Sequence, residues 1–204
     1  MELLPITLHA QPGNWRIFQG RKANKNFQSL ANRILKRDFY ACRFCGFQSK
    51  KYMEIVNIDN DYSHNSGNNL ATACSFCAQC FFLDSIGLDG HSGGRVIYLP
   101  EMSQASLNHF SRALFCALVK DATYRGKLQA TYLCFSDRGT VIENCFGPET
   151  SQPNVFGQGL IDGNLTAEQN NHHLMNAVRL LPLRRYFSEQ ITYWKETIFA
   201  HLPL

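Results

Sequence analysis

Two Cys-x-x-Cys pairs, Cys42/Cys45 and Cys74/Cys77, stand 28 residues apart in the stretch RDFYACRFCGFQSKKYMEIVNIDNDYSHNSGNNLATACSFCAQC, residues 37–80. Two residues between cysteines let both sulfurs of a tight knuckle face one centre, and two knuckles complete a tetrahedral thiolate shell around Zn²⁺. Gly46, directly after the first pair, suits such a turn because glycine takes a positive φ without steric cost. Cys80 lies three residues beyond Cys77, as Cys77 does beyond Cys74, and is an alternative ligand to a neighbour. Two equivalent knuckles make the simpler tetrahedron, so the expected ligands are Cys42, Cys45, Cys74 and Cys77. A disulfide framework would need an oxidising compartment, whereas the opening MELLPITLHA has an acid at position 2 and no basic leader. The expectation is a reduced, cytoplasmic chain with one structural zinc. Cys116, Cys134 and Cys145 fall singly within apolar helical patterns and read as small core residues.

At 204 residues the chain allows one large domain or two small ones, and 45% hydrophobic content is enough to fill their interior. No apolar run approaches the roughly 20 residues needed to span a bilayer, so membrane association is expected only through a partner. Charge is distributed unevenly. Residues 1–51 hold ten of the 20 Lys and Arg against Glu2 and Asp38 alone, a surplus of eight positive charges, while the remainder has ten basic and 14 acidic residues. A basic front of this kind draws nucleic acid, anionic lipid or an acidic protein segment, and it also describes a solvated helix face.

Local patterns place the knuckles in an α+β frame. Trp15–Phe18 reads as a short strand, and Asn24 or Asn26 caps a helix with Phe27, Leu30, Ala31, Ile34 and Leu35 on one stripe. Tyr52–Ile58 is β-prone, Asp59–Asn69 is a turn-rich loop, and the second knuckle opens into a helical segment that Gly87 and Gly90 end. Knuckle, strand, loop, knuckle, helix is the order of a treble clef. Arg95–Leu99 reads as a strand, and Ser103 caps a helix striped by Leu107, Phe110, Leu114, Ala117 and Leu118. One long helix is expected from Leu128 to Phe146, with Gly139 on its packing face admitting another helix. Residues 148–165 read as a loop. Thr166 with Gln169 signals a capping box for a helix carrying Leu174, Met175, Val178 and Leu181, and the last helix carries Phe187, Ile191, Trp194 and Ile198. His172 and His173 are adjacent, point apart on a helix, and make a poor ligand pair. The expected organisation is a zinc module with a basic helix over 1–100 and a helical region over 101–204, packed together.

The knuckle stretch resembles the His-Asn-His (HNH) nucleases: RD-x-x-x-C-x-x-C-G, a strand, then NL-x-x-x-C-x-x-C. That resemblance implies an HNH-like ββα zinc core. In those nucleases an Asp-His pair at the strand's end binds the catalytic cation and activates water, but here the positions hold Val56 and Asn57. Valine cannot hold a hard cation, and an amide has no useful basicity. Beyond the last cysteine, where a second metal-binding His is expected, stand Ala78, Gln79 and Cys80. Asn69 matches the middle Asn, and His64 with Asp59 or Asp61 offers a shifted metal site.

Longer strings resemble the DotN/IcmJ family of the Dot/Icm type IVB secretion system: PGNWR, RDFYACRFCGFQ, IVNIDNDY, NLATACSFCAQCFF, GGRVIYLPEMSQASLN, VFGQGLIDGN and VRLLPLRRYF. The resemblance implies a non-catalytic subunit of the coupling complex, which collects effector proteins for export. Its implied partners are the C-terminal extension of the coupling ATPase DotL, DotM and the IcmS/IcmW adaptors, at the inner membrane. The family zinc falls on Cys42, Cys45, Cys74 and Cys77. The alternative is a metal-dependent HNH-type nuclease or nucleic-acid-binding protein using the basic front.

Overall fold

A computed structural model describes residues 2–87, 92–120, 124–165 and 174–201. The chain is α+β, with two small antiparallel sheets among helices. Helices α1 (Asn14–Arg21) and α2 (Lys25–Arg37) precede the first knuckle, and strands β1 (Met53–Asn57) and β2 (Leu70–Cys74) form the first sheet. Cys74 ends β2 opposite Met53, and a single turn of helix, α3 (Ser75–Ala78), carries Cys77. Strand β3 (Gly94–Tyr98) pairs antiparallel with β4 (Val178–Pro182), so Gly94 faces Pro182 and Tyr98 faces Val178. Between them lie α4 (Gln104–Lys120), α5 (Arg125–Asp137), α6 (Gly139–Phe146) and α7 (Pro153–Ile161), and α8 (Ser188–Thr197) follows β4.

Helix α2 starts where its cap dictates. The Asn24 side-chain oxygen accepts from the N–H groups of Asn26 and Phe27 at 2.9 and 3.2 Å, a cap worth about 1 kcal/mol. Its apolar stripe packs Ile34 against Ile55 and Leu70 of the first sheet. At its end the buried Asp38 carboxylate accepts from Arg37 Nε and Nη2 (2.8 and 3.0 Å) and from the Thr72 N–H (2.9 Å). Burial opposes ionisation of Asp38, but those donors outweigh it and hold its carboxyl below the usual range. The end of α2 is thereby tied to β2, two residues before Cys74.

Four local expectations differ from the structure, each for a physical reason. Trp15–Phe18 lies in helix α1, which starts after Gly13 at φ 83° and buries Asn14, Phe18 and Arg21. That spacing of four and three selects a helix over alternation. The pattern over Leu128–Phe146 breaks at Arg138 into α5 and α6, and Gly139 admits the Arg95 side chain of β3 rather than a helix. Residues 153–161 are helical, with Pro153 in the first turn, where a missing N–H costs nothing. Residues 178–182 are a strand, since Val178, Leu180, Leu181 and Pro182 are all buried on both sides of the half-buried Arg179, a burial pattern that covers both strand faces. Gly90, the Thr166/Gln169 capping signal and His172-His173 lie outside the described residues. Cys116 is buried as expected, but Cys134 and Cys145 are exposed; α5, which carries Cys134, buries none of its residues.

The main core encloses all four knuckle cysteines together with Phe76, Phe115, Phe187 and Trp194. Phe76 sits 4.7 Å from the Phe187 ring and 5.3 Å from Trp194, so α3 and α8 meet through aromatic edges. Elsewhere α7 lies on the turn Leu83–Ser85 at Gly157, where an added Cβ would stand 2.5 Å from the Asp84 nitrogen and 2.9 Å from the Leu83 carbonyl carbon. Backbone cannot yield as a side-chain tip does. Gly157→Ala is therefore expected to cost about 1–3 kcal/mol and to lower the melting temperature by roughly 2–12 °C. An unchanged melting curve by circular dichroism would show that α7 does not rest on this turn.

Candidate metal centre

The first knuckle is shaped by its backbone. Phe39 and Tyr40 take positive φ of 54° and 56° as the chain leaves α2, and Gly46 takes 76°. The Cys42 N–H donates to Phe47 O and the Gly46 N–H to Cys42 O, both at 2.8 Å, which closes the turn around the sulfurs. The second knuckle runs from the end of β2 into α3, one helical turn separating Cys74 from Cys77. Sequence spacing thus translates into geometry: the four sulfurs all lie within 4.8 Å of one another, and every one of the four residues is buried.

These distances suit a tetrahedral ion. A zinc at about 2.3 Å from four tetrahedral sulfurs places them roughly 3.8 Å apart, and Cys45 Sγ lies 3.7 Å from Cys74 Sγ. Cys80 is fully buried but outside this group, its thiol directed at the Phe76 carbonyl at 3.5 Å, and burial pushes its pKa up. Among the described residues no other group of three His, Cys, Asp or Glu side chains converges in this way. Within the four, burial pushes the Cys42 and Cys77 thiols up, while hydrogen bonds from Cys42, Cys74 and Cys77 pull Cys45 down. Such a set resists full ionisation by itself, and a divalent cation supplies the charge that lets all four become thiolate ligands.

Helix α4 completes the surroundings with polar groups at a helical spacing. Asn108 Nδ2 donates to Cys77 Sγ at 3.2 Å, and Arg112 Nη2, four residues on, donates to Cys74 Sγ at 3.1 Å. Between them His109 Nε2 donates to the Cys45 carbonyl at 2.5 Å. Hydrogen bonding to Cys45, against the opposing effect of burial, raises the His109 pKa above its ordinary value. Arg112 is 0% exposed and forms no ion pair with a carboxylate among the described residues. Its guanidinium lies 3.6 Å over the Phe47 ring, with Phe76 and Trp194 at 5.2 and 5.1 Å. A buried cation needs an anion, and the sulfur cluster is the candidate anion beside it. Sequence reasoning found the four cysteines but not Asn108, His109 or Arg112. The available signal was Gln104, Asn108 and Arg112 recurring every four residues beside an apolar stripe.

The positions that carry chemistry in the HNH nucleases are otherwise engaged. Val56 and Asn57 are both 0% exposed. Asn57 Nδ2 donates to the carbonyls of Asp61 and His64 at 2.7 and 2.8 Å, and its Oδ1 accepts from Arg21 Nη1 at 2.6 Å. The same guanidinium donates to Asn65 Oδ1 and Ile55 O and stacks 4.3 Å over Phe27. Burial lowers the Arg21 pKa to about 10, still far above neutrality, so a fixed positive charge occupies the strand's end. His64 Nδ1 meets Asp59 Oδ2 at 2.7 Å in the exposed loop. Asp59, Asp61 and Asn69 bond to loop groups: Asp59 Oδ1 accepts from Asn69 Nδ2 at 2.8 Å and from the Asp61 N–H at 2.9 Å, and Asp61 Oδ1 accepts from the Ser63 N–H at 2.9 Å. Side chains closing their own turns are a structural use of Asx residues.

No helix among the described residues is long and apolar enough to cross a membrane. No protein-family profile matches the chain. Compared with curated proteins, it is 46% identical over 189 residues to the type 4 apparatus protein DotN of Legionella pneumophila, covering 93% of this chain and 88% of that protein. With identity at that level across nearly the full length, the chain belongs to the DotN/IcmJ family.

Proposed function

We propose that this protein is a non-catalytic, zinc-stabilised subunit of a type IVB secretion coupling complex. In this reading it binds the C-terminal extension of the coupling ATPase DotL, alongside DotM and the IcmS/IcmW adaptors, and helps recruit effectors for export. It sits at the inner membrane through those partners. The observation that carries the reading is the likeness to an apparatus protein over 93% of the chain. In this reading the treble-clef zinc module lies within residues 1–100 and the helical region within 101–204, the two joined as one unit through the β3–β4 pair.

Cys42, Cys45, Cys74 and Cys77 would hold the zinc, which contributes folding free energy rather than a reactive water, because four thiolates leave no open coordination position. Arg112 and Asn108 offset the charge of the shell and fix the sulfur positions. The basic front includes two structural arginines, the buried Arg21 and Arg37 paired with Asp38, and exposed side chains on α2, namely Lys25, Arg33 and Lys36. The exposed set suits an acidic partner segment. An arginine at the strand's end repels a divalent cation, which weighs against the nuclease alternative.

Three outcomes are expected. Metal analysis should give about one zinc per chain, lost together with folding in Cys42→Ser, and Arg112→Met should weaken zinc 10–100-fold in competition with a chromogenic chelator; unchanged affinity in Arg112→Met would remove the charge-pairing role. Co-expressed with the C-terminal extension of the coupling ATPase, the full chain should co-purify in stoichiometric amount, and reproducible failure to do so would defeat the partner assignment. Supercoiled plasmid should stay intact with Mg²⁺, Mn²⁺ or Ni²⁺. Cleavage abolished by His64→Ala would restore the nuclease.

A further inference from the structure

A cleft of about 310 Å³ opens between α1, the turn after α3, and Phe187. That volume is at the small end for ligand sites. Its walls are aromatic: the Phe18 and Phe82 rings lie tilted at 40° with centroids 4.7 Å apart, Trp15 meets the Phe82 edge at 5.3 Å, and Phe187 also lines the cleft. Its floor is polar. Gln79 is 4% exposed, yet neither its Nε2 nor its Oε1 has a hydrogen-bond partner, and the buried Ser75 hydroxyl beside it has none either. A buried amide with both functions unused costs folding free energy, and at a cavity wall a polar ligand that pairs with it recovers that cost.

The chemistry of the cleft selects the ligand. A glutamine amide offers a donor beside an acceptor, the complement of a peptide unit, which also offers one of each. Among the described residues its charged lining groups are Lys22 and Glu54, whose Nζ and Oε2 pair at 2.9 Å, so the cation there is already compensated and is not held for a phosphate. Four rings, those of Trp15, Phe18, Phe82 and Phe187, around the remaining space suit one apolar side chain.

We propose that this cleft binds an extended peptide segment of a partner protein, seating one apolar side chain among Phe18, Phe82 and Phe187 and giving backbone C=O and N–H groups to Gln79 and Ser75. The inference deepens the partner-binding reading and rests on it only for the source of the segment.

The test uses the full zinc-loaded chain, isotope-labelled, with N-acetyl-phenylalaninamide as probe. The Gln79 side-chain NH₂ and Trp15 indole N–H resonances are expected to shift saturably. Gln79→Leu should weaken the probe at least tenfold while melting no lower than the parent, because it removes an unpartnered polar group. Ser75→Ala, which deletes only a hydroxyl, should weaken it about threefold and secures the test if the leucine variant does not fold. Equal probe binding by the parent and either folded variant would overturn the site, as would tighter binding of adenosine than of the capped amino acid, or a lower melting temperature in folded Gln79→Leu. The coupling-ATPase extension separates the two ideas. If the parent and Gln79→Leu capture it equally, the cleft proposal fails and the partner assignment stands; if the parent ignores it but binds the probe at Gln79, the partner assignment fails and the cleft stands.

Discussion

The packing of this protein turns on a positive charge with nowhere to go but sulfur. Arg112 is sealed from solvent, stacked on Phe47, and within 3.1 Å of Cys74 Sγ. An aromatic face stabilises a desolvated guanidinium by about 2 kcal/mol or more, set against the several kcal/mol lost on removing an ion from water. The balance must come from the cysteine cluster, and the attraction grows as the cluster gains negative charge. A four-thiolate shell around a divalent ion would carry two net negative charges, so the residues of α4 and the knuckles make mutual demands: ionised sulfurs would make the cation tolerable, and the cation favours their ionised form.

That demand extends beyond the knuckles through one helix. Gln104 exchanges hydrogen bonds with the backbone of Leu180, its Nε2 donating to the carbonyl and its Oε1 accepting from the N–H, both at 2.8 Å, and Gln104 Nε2 also reaches Asn108 Oδ1 at 3.0 Å. Asn108 then donates to Cys77. A continuous polar line thus runs from strand β4 through α4 to the sulfur cluster, inside an otherwise apolar interior. Buried networks of this kind are worth most when every member is satisfied, which makes the geometry of the cluster and the docking of the β3–β4 sheet interdependent. Strand β4, paired with β3 across 80–88 positions of chain, is thus bonded at Leu180 by the same helix that donates to the sulfurs.

Much of this was legible in the chain because local rules and tertiary packing agreed. The Cys-x-x-Cys spacing, the Asn24 cap and the apolar stripe of α4 each have short-range causes, and each appears where its pattern indicates. Val178–Pro182 misled because its apolar positions also fall three apart, and only burial on both faces, contributed by α4 and the rest of the core, decides for a strand. Trp15–Phe18 misled in the opposite direction: four residues are too few to separate a period of 2 from 3.6, and Arg21, whose burial extends the helical phase, reads as one more surface charge in a basic segment. Asn108 and Arg112 were passed over for the same reason. Polar letters on a helix read as solvated until something buried is found that needs them, and the sulfurs that need these are more than 30 residues away.

Arg21 is the second buried cation of the chain, and its surroundings differ from those of Arg112. Its guanidinium makes three hydrogen bonds at the end of β1, to Asn57, Asn65 and Ile55, and rests on the rings of Phe27 and Tyr62 at 4.3 and 4.8 Å. A divalent cation placed here would meet a fixed positive charge a few ångströms away, in surroundings where screening is weak, and would find amide oxygens already accepting from arginine. The Asn57 amide, donating to two loop carbonyls, draws residues 61–65 over the strand's end and closes it. Buried positive charge is thus used twice along one chain, in opposite senses: at Arg112 it complements an anionic cluster able to hold a metal, and at Arg21 it takes the space a second metal would need.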